Sequence, residues 1–261
     1  MRLTVLGCSG SAPGPSSPAS GYLVAAGGAH LVLDLGNGTL GALQRHLDPW
    51  CLDAVLLSHL HSDHCADVAS LVVHRRYHPR PPFDATAHRL PVHAPAEAPD
   101  RLAAAYAPSA AERAGTDLTD VLAFHPLAPG AVAQVAGVTV AAAAADHLCE
   151  AYALRLEHGG RSLVYTGDTG PCAGVADLAR GADVLLCEAT WPHVTAGWSE
   201  PPPGMHLSGR QAGEHAAAAG VGRLLLTHVP PWTDAAPILA EAAEVFDGPV
   251  ELVEPGAGYD V

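Results

Sequence analysis

The segment Ser58-His59-Leu60-His61-Ser62-Asp63-His64 places three imidazoles and a carboxylate within six residues, directly after the apolar run 54–57. A neutral imidazole is a good ligand for zinc and similar borderline cations, and a carboxylate adds charge. One turn carrying all four lowers the entropic cost of gathering them, so the chemistry implied is metal binding. His59 and His61 are two apart and point the same way in extended chain, whereas Asp63 and His64 fall where a following helix would begin. Groups that could complete such a site lie far along the chain: His147, Asp168 in Thr166-Gly167-Asp168-Thr169, and His228 in Leu226-Thr227-His228.

Positioning these groups falls to short apolar runs. Residues 31–33 end on Asp34, 54–58 on His59, 138–145 on Asp146-His147 and 184–187 on Glu188; 162–165 lead to Asp168, and 224–227 end on His228. Runs of this length bounded by glycine and polar residues predict buried strands. Loops at strand exits hold functional side chains on roots that the sheet keeps still. Between the runs the pattern predicts helices over 38–47, 65–77, 101–107, 208–219 and 233–246, with a short one at 178–180 and its preceding turn. Ser208 is the expected N-cap and Gly220 the expected stop of the helix over 208–219. His158-Gly159-Gly160-Arg161 predicts a hairpin turn. The proline-rich stretches 79–99 and 200–203 read as surface loops within one α/β fold, so a single domain over 1–261 is expected.

Composition narrows the partners. The net charge of −14, with 13 basic against 27 acidic residues, argues against a long nucleic acid, because such binders draw affinity from Lys and Arg on phosphates. Arg75, Arg76, Arg80 and Arg89 form the basic neighbourhood and read as a solvated surface. An apolar fraction of 49% with 15% charged residues fits a globular chain. No apolar run reaches the roughly 18 residues that cross a bilayer, and the opening residues do not read as a signal peptide; a cytoplasmic protein with no membrane partner is expected. The six cysteines are scattered without CxxC spacing and read as reduced thiols, with Cys65, beside His64, the one to watch.

In order and spacing, the HxHxDH segment, His147, Gly167-Asp168 and His228 resemble the metallo-β-lactamase superfamily. The resemblance covers nearly the whole chain: Leu6-Gly7-Cys8-Ser9-Gly10-Ser11-Ala12-Pro13 is similar to its opening strand and turn, Ser20-Gly21-Tyr22-Leu23-Val24 to the next strand, and Leu33-Asp34-Leu35-Gly36-Asn37-Gly38 to its first acidic motif. It implies a four-layer αββα sandwich with a two-metal centre at one edge of the sheets. His59, His61 and His147 would hold one cation, Asp63, His64 and His228 the other, and Asp168 would bridge them. Zinc suits the five histidines best, and manganese or iron would tolerate the two carboxylates. Two cations so held can share a bridging hydroxide and stabilise charge on an attacked phosphoryl or carbonyl centre. Asp34 is expected to orient a ligand histidine. Cys187-Glu188-Ala189-Thr190 and Met205-His206-Leu207-Ser208 resemble the HEAT and HST elements of the ribonuclease Z and phosphodiesterase branch. That resemblance assigns catalysis to His206, as proton donor or phosphate stabiliser, with Glu188 behind it and Asp63 as a further catalytic residue.

Departures shift the expected substrate. The loop at 13–19 holds no Lys, Arg or Asn, where tRNA-processing members carry a basic, asparagine-containing loop, and 79–127 shows no basic arm. A small phosphorylated substrate, such as a cyclic nucleotide or short nucleotide ester, fits better. Alternatives are a lactone, thioester or amide hydrolase, a tRNA 3′-processing endonuclease, and a small-molecule carrier on the same fold, which the full ligand set disfavours. A homodimer is the default assembly. His30, His46, His88, His93, His125, His158 and His215 read as surface or hydrogen-bonded residues, and His74 and His78 are surplus to the site. The loop 189–205, with Trp191, His193, Trp198 and the prolines at 201–203, either covers the pocket and stacks on a base or packs against its surroundings.

Overall fold

In the computed structural model, which describes residues 1–194 and 202–261, the apolar runs build two sheets. The first half supplies β1 (Arg2–Gly7), β2 (Gly21–Ala26), β3 (Ala29–Leu35), β4 (Ala54–Leu56), β5 (Leu90–Ala94) and β6 (Leu122–Pro126). The second supplies β7 (Val132–Val135), β8 (Val138–Ala144), β9 (Tyr152–His158), β10 (Arg161–Tyr165), β11 (Val184–Glu188), β12 (Leu224–Thr227) and β13 (Val250–Leu252). The last strand, β14 (Gly258–Asp260), returns to the first sheet beside β1. The orders are β14-β1-β2-β3-β4-β5-β6 and β13-β12-β11-β10-β9-β8-β7, each mixing parallel and antiparallel pairs.

Residue parity along the strands explains the layers. Leu31, Leu33, Leu56, Leu154, Leu156, Leu163, Tyr165 and Leu186 face the gap between the sheets and fill one buried cluster. Neighbours of opposite parity, such as Val32 and Val55, face outward and meet helices α1 (Thr39–Leu43), α3 (Val68–Tyr77) and α4 (Ala98–Tyr106), with the short α2 (Ser62–Cys65) leading into α3. On the other side Val164, Leu185 and Leu226 pack under α6 (Gly209–Ala219) and α7 (Ala235–Val245), while α5 (Ala173–Leu178) flanks β8. Helices thus cover both outer faces, giving the expected αββα sandwich. Each fully buried leucine contributes roughly 1.5–3 kcal/mol, and truncating one to alanine should cost about 2–5 kcal/mol.

Several local expectations meet corrections. The helix expected over 65–77 is divided at Ala66 and Asp67, where the Asp67 N–H donates to Leu35 O at 3.0 Å and its carboxylate accepts from Leu40 N at 2.9 Å. The helices begin earlier or end sooner elsewhere: α4 starts at Ala98 with Pro99 in its first turn, and α1 stops at Leu43. The stretch 79–99 is not loop throughout, because β5 lies inside it. Its alternating burial at Leu90, Val92 and Ala94 is a strand pattern that the surrounding prolines hide. Pro91 is tolerated because β4 pairs only with Val92 and His93. Helix α6 meets its expected ends: Ser208 and Gln211 form a reciprocal capping box, and Gly220 closes it at φ 64°. All six cysteines are free. Cys65 is buried with its thiol pushed up to about 11 by desolvation, so it is inert packing. Among the described residues no helix is long and apolar enough to cross a membrane.

Candidate functional site

Strand exits at one edge of the two sheets bring the dispersed groups together. His59, His61, His147 and Asp168 present ligand atoms within 4.8 Å of one another, and so do Asp63, His64, Asp168 and His228. Asp168 belongs to both groups. Its Oδ2 lies 3.6 Å from His59 Nε2 and 3.9 Å from His147 Nε2, and its Oδ1 lies 3.3 Å from both His64 Nε2 and His228 Nε2. All seven predicted ligands therefore meet, with Glu188 and His206 alongside.

Backbone devices aim these side chains. Asp34 adopts φ 55° and the β2–β3 register skips it, pairing Gly21 with Leu35 and Tyr22 with Leu33. This bulge reverses the side-chain phase at the strand end, turning Asp34 toward the inter-sheet Tyr165 and Leu35 toward the outer cluster. His228 also sits at positive φ, 62°, a conformation unfavourable for a residue with a Cβ. Its N–H donates to Cys8 O at 3.0 Å, and Gly10 lies so close that an added Cβ would stand 2.2 Å from His228 O. The opening glycine-rich turn is thus a clamp on a site residue.

Hydrogen-bond arithmetic then sets the imidazole tautomers. Asp34 accepts from Ser58 N and Ser58 Oγ, each at 2.7 Å, so the single Ser58 hydroxyl proton is spent and Ser58 Oγ accepts from His59 Nδ1 at 3.0 Å. His64 Nδ1 donates to Asp34 Oδ2 at 2.7 Å, and His147 Nδ1 donates to Met205 O at 2.8 Å. Thr190 Oγ1 donates to Glu188 Oε2 at 2.8 Å and so accepts from His228 Nδ1 at 2.9 Å. Four rings consequently turn Nε2 inward.

Those inward nitrogens crowd one another. His59 Nε2 and His61 Nδ1 are 3.0 Å apart, His147 Nε2 and His61 Nδ1 3.2 Å, and His64 Nε2 and His228 Nε2 3.3 Å. Asp168 Oδ1 is buried with no hydrogen-bond donor. Converging lone pairs around a buried carboxylate fit divalent cations and suit neither an apolar core nor an internal hydrogen-bond network. Electrostatics agree. Burial lowers His59 and His61 from the ordinary histidine value. Desolvation opposes ionisation of Asp63 and Asp168, yet the surrounding imidazoles hold both carboxyls below the usual range. Burial also opposes charge on His64, but Asp168 and Asp34 raise it well above 6.5, so positive charge is favoured at its inward Nε2, whether as a proton or as a cation that takes the proton's place.

Beside this cluster stands a second unit. His206 Nδ1 lies 3.0 Å from Glu188 Oε1 and 3.8 Å from Asp168 Oδ2. Glu188 is fully buried at the end of β11 and also accepts from Thr169 N at 2.7 Å. Burial disfavours charge on His206, but the Glu188 carboxylate outweighs it and lifts the imidazole to about 9.

The remaining histidines are accounted for more simply. His74 and His78 pack around Trp50 with ring centroids 5.5 and 6.0 Å away. His193 is fastened down, Nδ1 to Ser208 Oγ at 2.8 Å and its N–H to the Glu241 carboxylate. Trp198 and Pro201 of the expected covering loop lie outside the described residues. Sequence reasoning missed Ser58, Tyr165 and Thr190 as supports, and also missed Trp232, which follows His228 by four residues and is 71% exposed.

Comparison with known proteins places this architecture. The model described as "Beta-lactamase superfamily domain" matches residues 31–229, and the chain belongs to that superfamily. It is 46% identical over 263 residues to the Mycobacterium leprae protein ML1173, covering 100% of this chain and 89% of that one. It is 30% identical to the probable metallo-hydrolase YhfI of Bacillus subtilis, covering 98% of each. The YhfI crystal structure superposes with a TM-score of 0.82 over 99% of this chain and 98% of that one, at 27% identity. A ribonuclease Z of Mycolicibacterium paratuberculosis is 31% identical over 97% of this chain and 95% of that protein.

Proposed function

We propose that the chain is a dinuclear metal-dependent phosphodiesterase acting on a small nucleotide or related phosphodiester, with zinc the best-suited ion. The observation that carries this reading is the Glu188–His206 pair, 3.0 Å apart, set beside the carboxylate shared by two ligand groups. His59, His61, His147 and Asp168 would hold one cation; Asp63, His64, Asp168 and His228 would hold the other. Bound there, divalent cations supply positive charge to the reacting group and acidify water.

The chain's own residues supply the rest. Asp34, Ser58, Thr190 and the Met205 carbonyl fix the imidazoles so that little reorganisation is needed on binding. His206, kept protonated by Glu188, donates to an oxygen of the phosphoryl group or to the leaving oxygen, while its Nδ1 stays on the carboxylate. An acyl substrate has less need of a cationic imidazole held by a buried glutamate, which favours phosphate over lactone, thioester or amide. The relatives include ribonuclease Z, yet the net charge of −14 and the uncharged loop at 13–19 disfavour a long polyanion here.

The test is hydrolysis of bis-p-nitrophenyl phosphate and of cyclic nucleotides by zinc-loaded protein, beside His206→Ala and a panel of lactones and thioesters. Phosphodiester turnover falling roughly 10²–10⁴-fold in the variant supports the reading. Wild-type turnover confined to acyl substrates, or phosphodiester rates untouched by the substitution, would overturn it.

A further inference from the structure

A cleft of about 430 Å³ opens beside His206, walled by Trp191, Pro192, Met205, Pro230 and Trp232, with Ser11, Thr190 and Thr233 also in its lining. Among the described residues, His206 is the one titratable group in the lining. Trp191 meets the His206 ring edge-on at 5.3 Å between centroids, so the apolar wall and the phosphate-side imidazole share one cleft. Trp232 is 71% exposed, although strand β12 and His228, which precede it, are buried. A large aromatic left in water at the mouth of a reactive cleft is a surface suited to a flat partner.

We propose that this cleft is the subsite for the nucleobase of the substrate, with Trp232 as its stacking platform and Trp191 as its inner wall. The inference rests on the phosphodiesterase reading above. A phosphoryl group within reach of His206 leaves its attached nucleoside next to this wall. The occupant is planar because the wall is aromatic and proline-rich, and neutral because no described residue of the lining other than His206, which faces the phosphoryl group, could compensate a buried charge. Hydroxyls at Ser11 and Thr233 can meet the polar edge of a base without demanding one particular base. The substrate class that follows is a single-nucleotide phosphodiester read mainly through stacking, with loose base selectivity.

Two p-nitrophenyl diesters separate the contributions, methyl p-nitrophenyl phosphate with no base and thymidine 5′-p-nitrophenyl phosphate with one. Trp232→Ala should raise KM for the thymidine ester roughly ten-fold, the size expected for losing one stacking platform. It should leave kcat for that ester and kcat/KM for the methyl ester nearly unchanged, and Trp232→Phe should retain most of the affinity. In parallel, binding of adenosine 5′-monophosphate is followed by calorimetry without turnover, and it should weaken by a similar factor in Trp232→Ala. Equal effects on both esters, or unchanged nucleotide binding, overturn the base subsite. Absence of any diester turnover by wild type, with nucleotide binding still dependent on Trp232, overturns the phosphodiesterase reading and leaves the subsite standing.

Discussion

Asp34 Oδ2 lies 2.7 Å from His64 Nδ1, and the same oxygen accepts the Tyr165 hydroxyl at 2.7 Å, so one carboxylate of the first sheet joins a ligand candidate to the second sheet. Asp34 is fully buried and accepts from Ser58 as well. Replacing it with alanine strands several buried donors at once. Asp34→Ala should lose about 3–5 kcal/mol of stability and zinc affinity by roughly 10–100-fold. Tyr165→Phe removes only one donor and should cost about 0.5–1.5 kcal/mol. Denaturant melts and chelator competition read these quantities. An Asp34→Ala protein as stable and as tightly metallated as Tyr165→Phe would contradict the assigned role.

Thr190 stands between the two functional units, donating to Glu188 at 2.8 Å and accepting from His228 at 2.9 Å. Thr190→Val keeps the shape and removes both bonds, leaving the His228 ring free to flip its tautomer. Zinc affinity should fall by roughly 10–100-fold, whereas Thr190→Ser, which retains the hydroxyl, should stay within a factor of about three. Chelator competition on the two variants decides. Equal affinities for Val and Ser would show that His228 is oriented by something else.

The raised value of about 9 for His206 carries a sign. A base lifted above its ordinary value is protonated below that value and loses its proton as pH rises through it. Turnover that uses the protonated ring is therefore fully present at neutral pH and declines on the alkaline side. Bound cations move this limb to lower pH, so the check is a difference between proteins. In zinc-loaded Glu188→Gln the carboxylate charge is gone, and the alkaline limb of the kcat profile should shift down by at least one pH unit. An unmoved limb would mean that the profile reports another group.

Much of this site was legible from the sequence because its chemistry is local or terminates an apolar run. The cluster from His59 to His64 needs only one turn, and Asp168, Glu188 and His228 each follow a buried strand. The supports were not legible. The Met205 carbonyl has no residue signature, Tyr165 reads as ordinary core, and Ser58 gains its role only because the bulge at Asp34 turns that carboxylate inward. Strand β5 was hidden for a different reason: its alternation spans only Leu90 to Ala94 and sits among prolines, whose usual meaning is loop. The division between α2 and α3 depends on bonds from Asp67 to Leu35 and Leu40, contacts between segments that no helical periodicity encodes.

Gly36 sets how closely the β3 exit approaches the turn that carries Asp63. An added Cβ there would lie 1.9 Å from Asp63 O and 2.6 Å from Asp63 C, both backbone atoms that cannot swing aside. Gly36→Ala must therefore displace the chain at Asp63, which also anchors Ser20 through Asp63 O at 3.1 Å. Overpacking of this kind costs about 1–3 kcal/mol, and the shift should carry Asp63 and His64 away from His228 and Asp168. Gly41, in helix α1, has nothing within 4 Å of an added Cβ and serves as the matched control. Gly41→Ala should be neutral or stabilising by up to about 1 kcal/mol. Zinc content by atomic absorption, measured beside thermal melts, should fall for Gly36→Ala while circular dichroism still reports a folded chain, and should not change for Gly41→Ala. A full metal complement with an unchanged melting temperature in Gly36→Ala would show that the turn tolerates the displacement, and that Asp63 is positioned from its helix side instead.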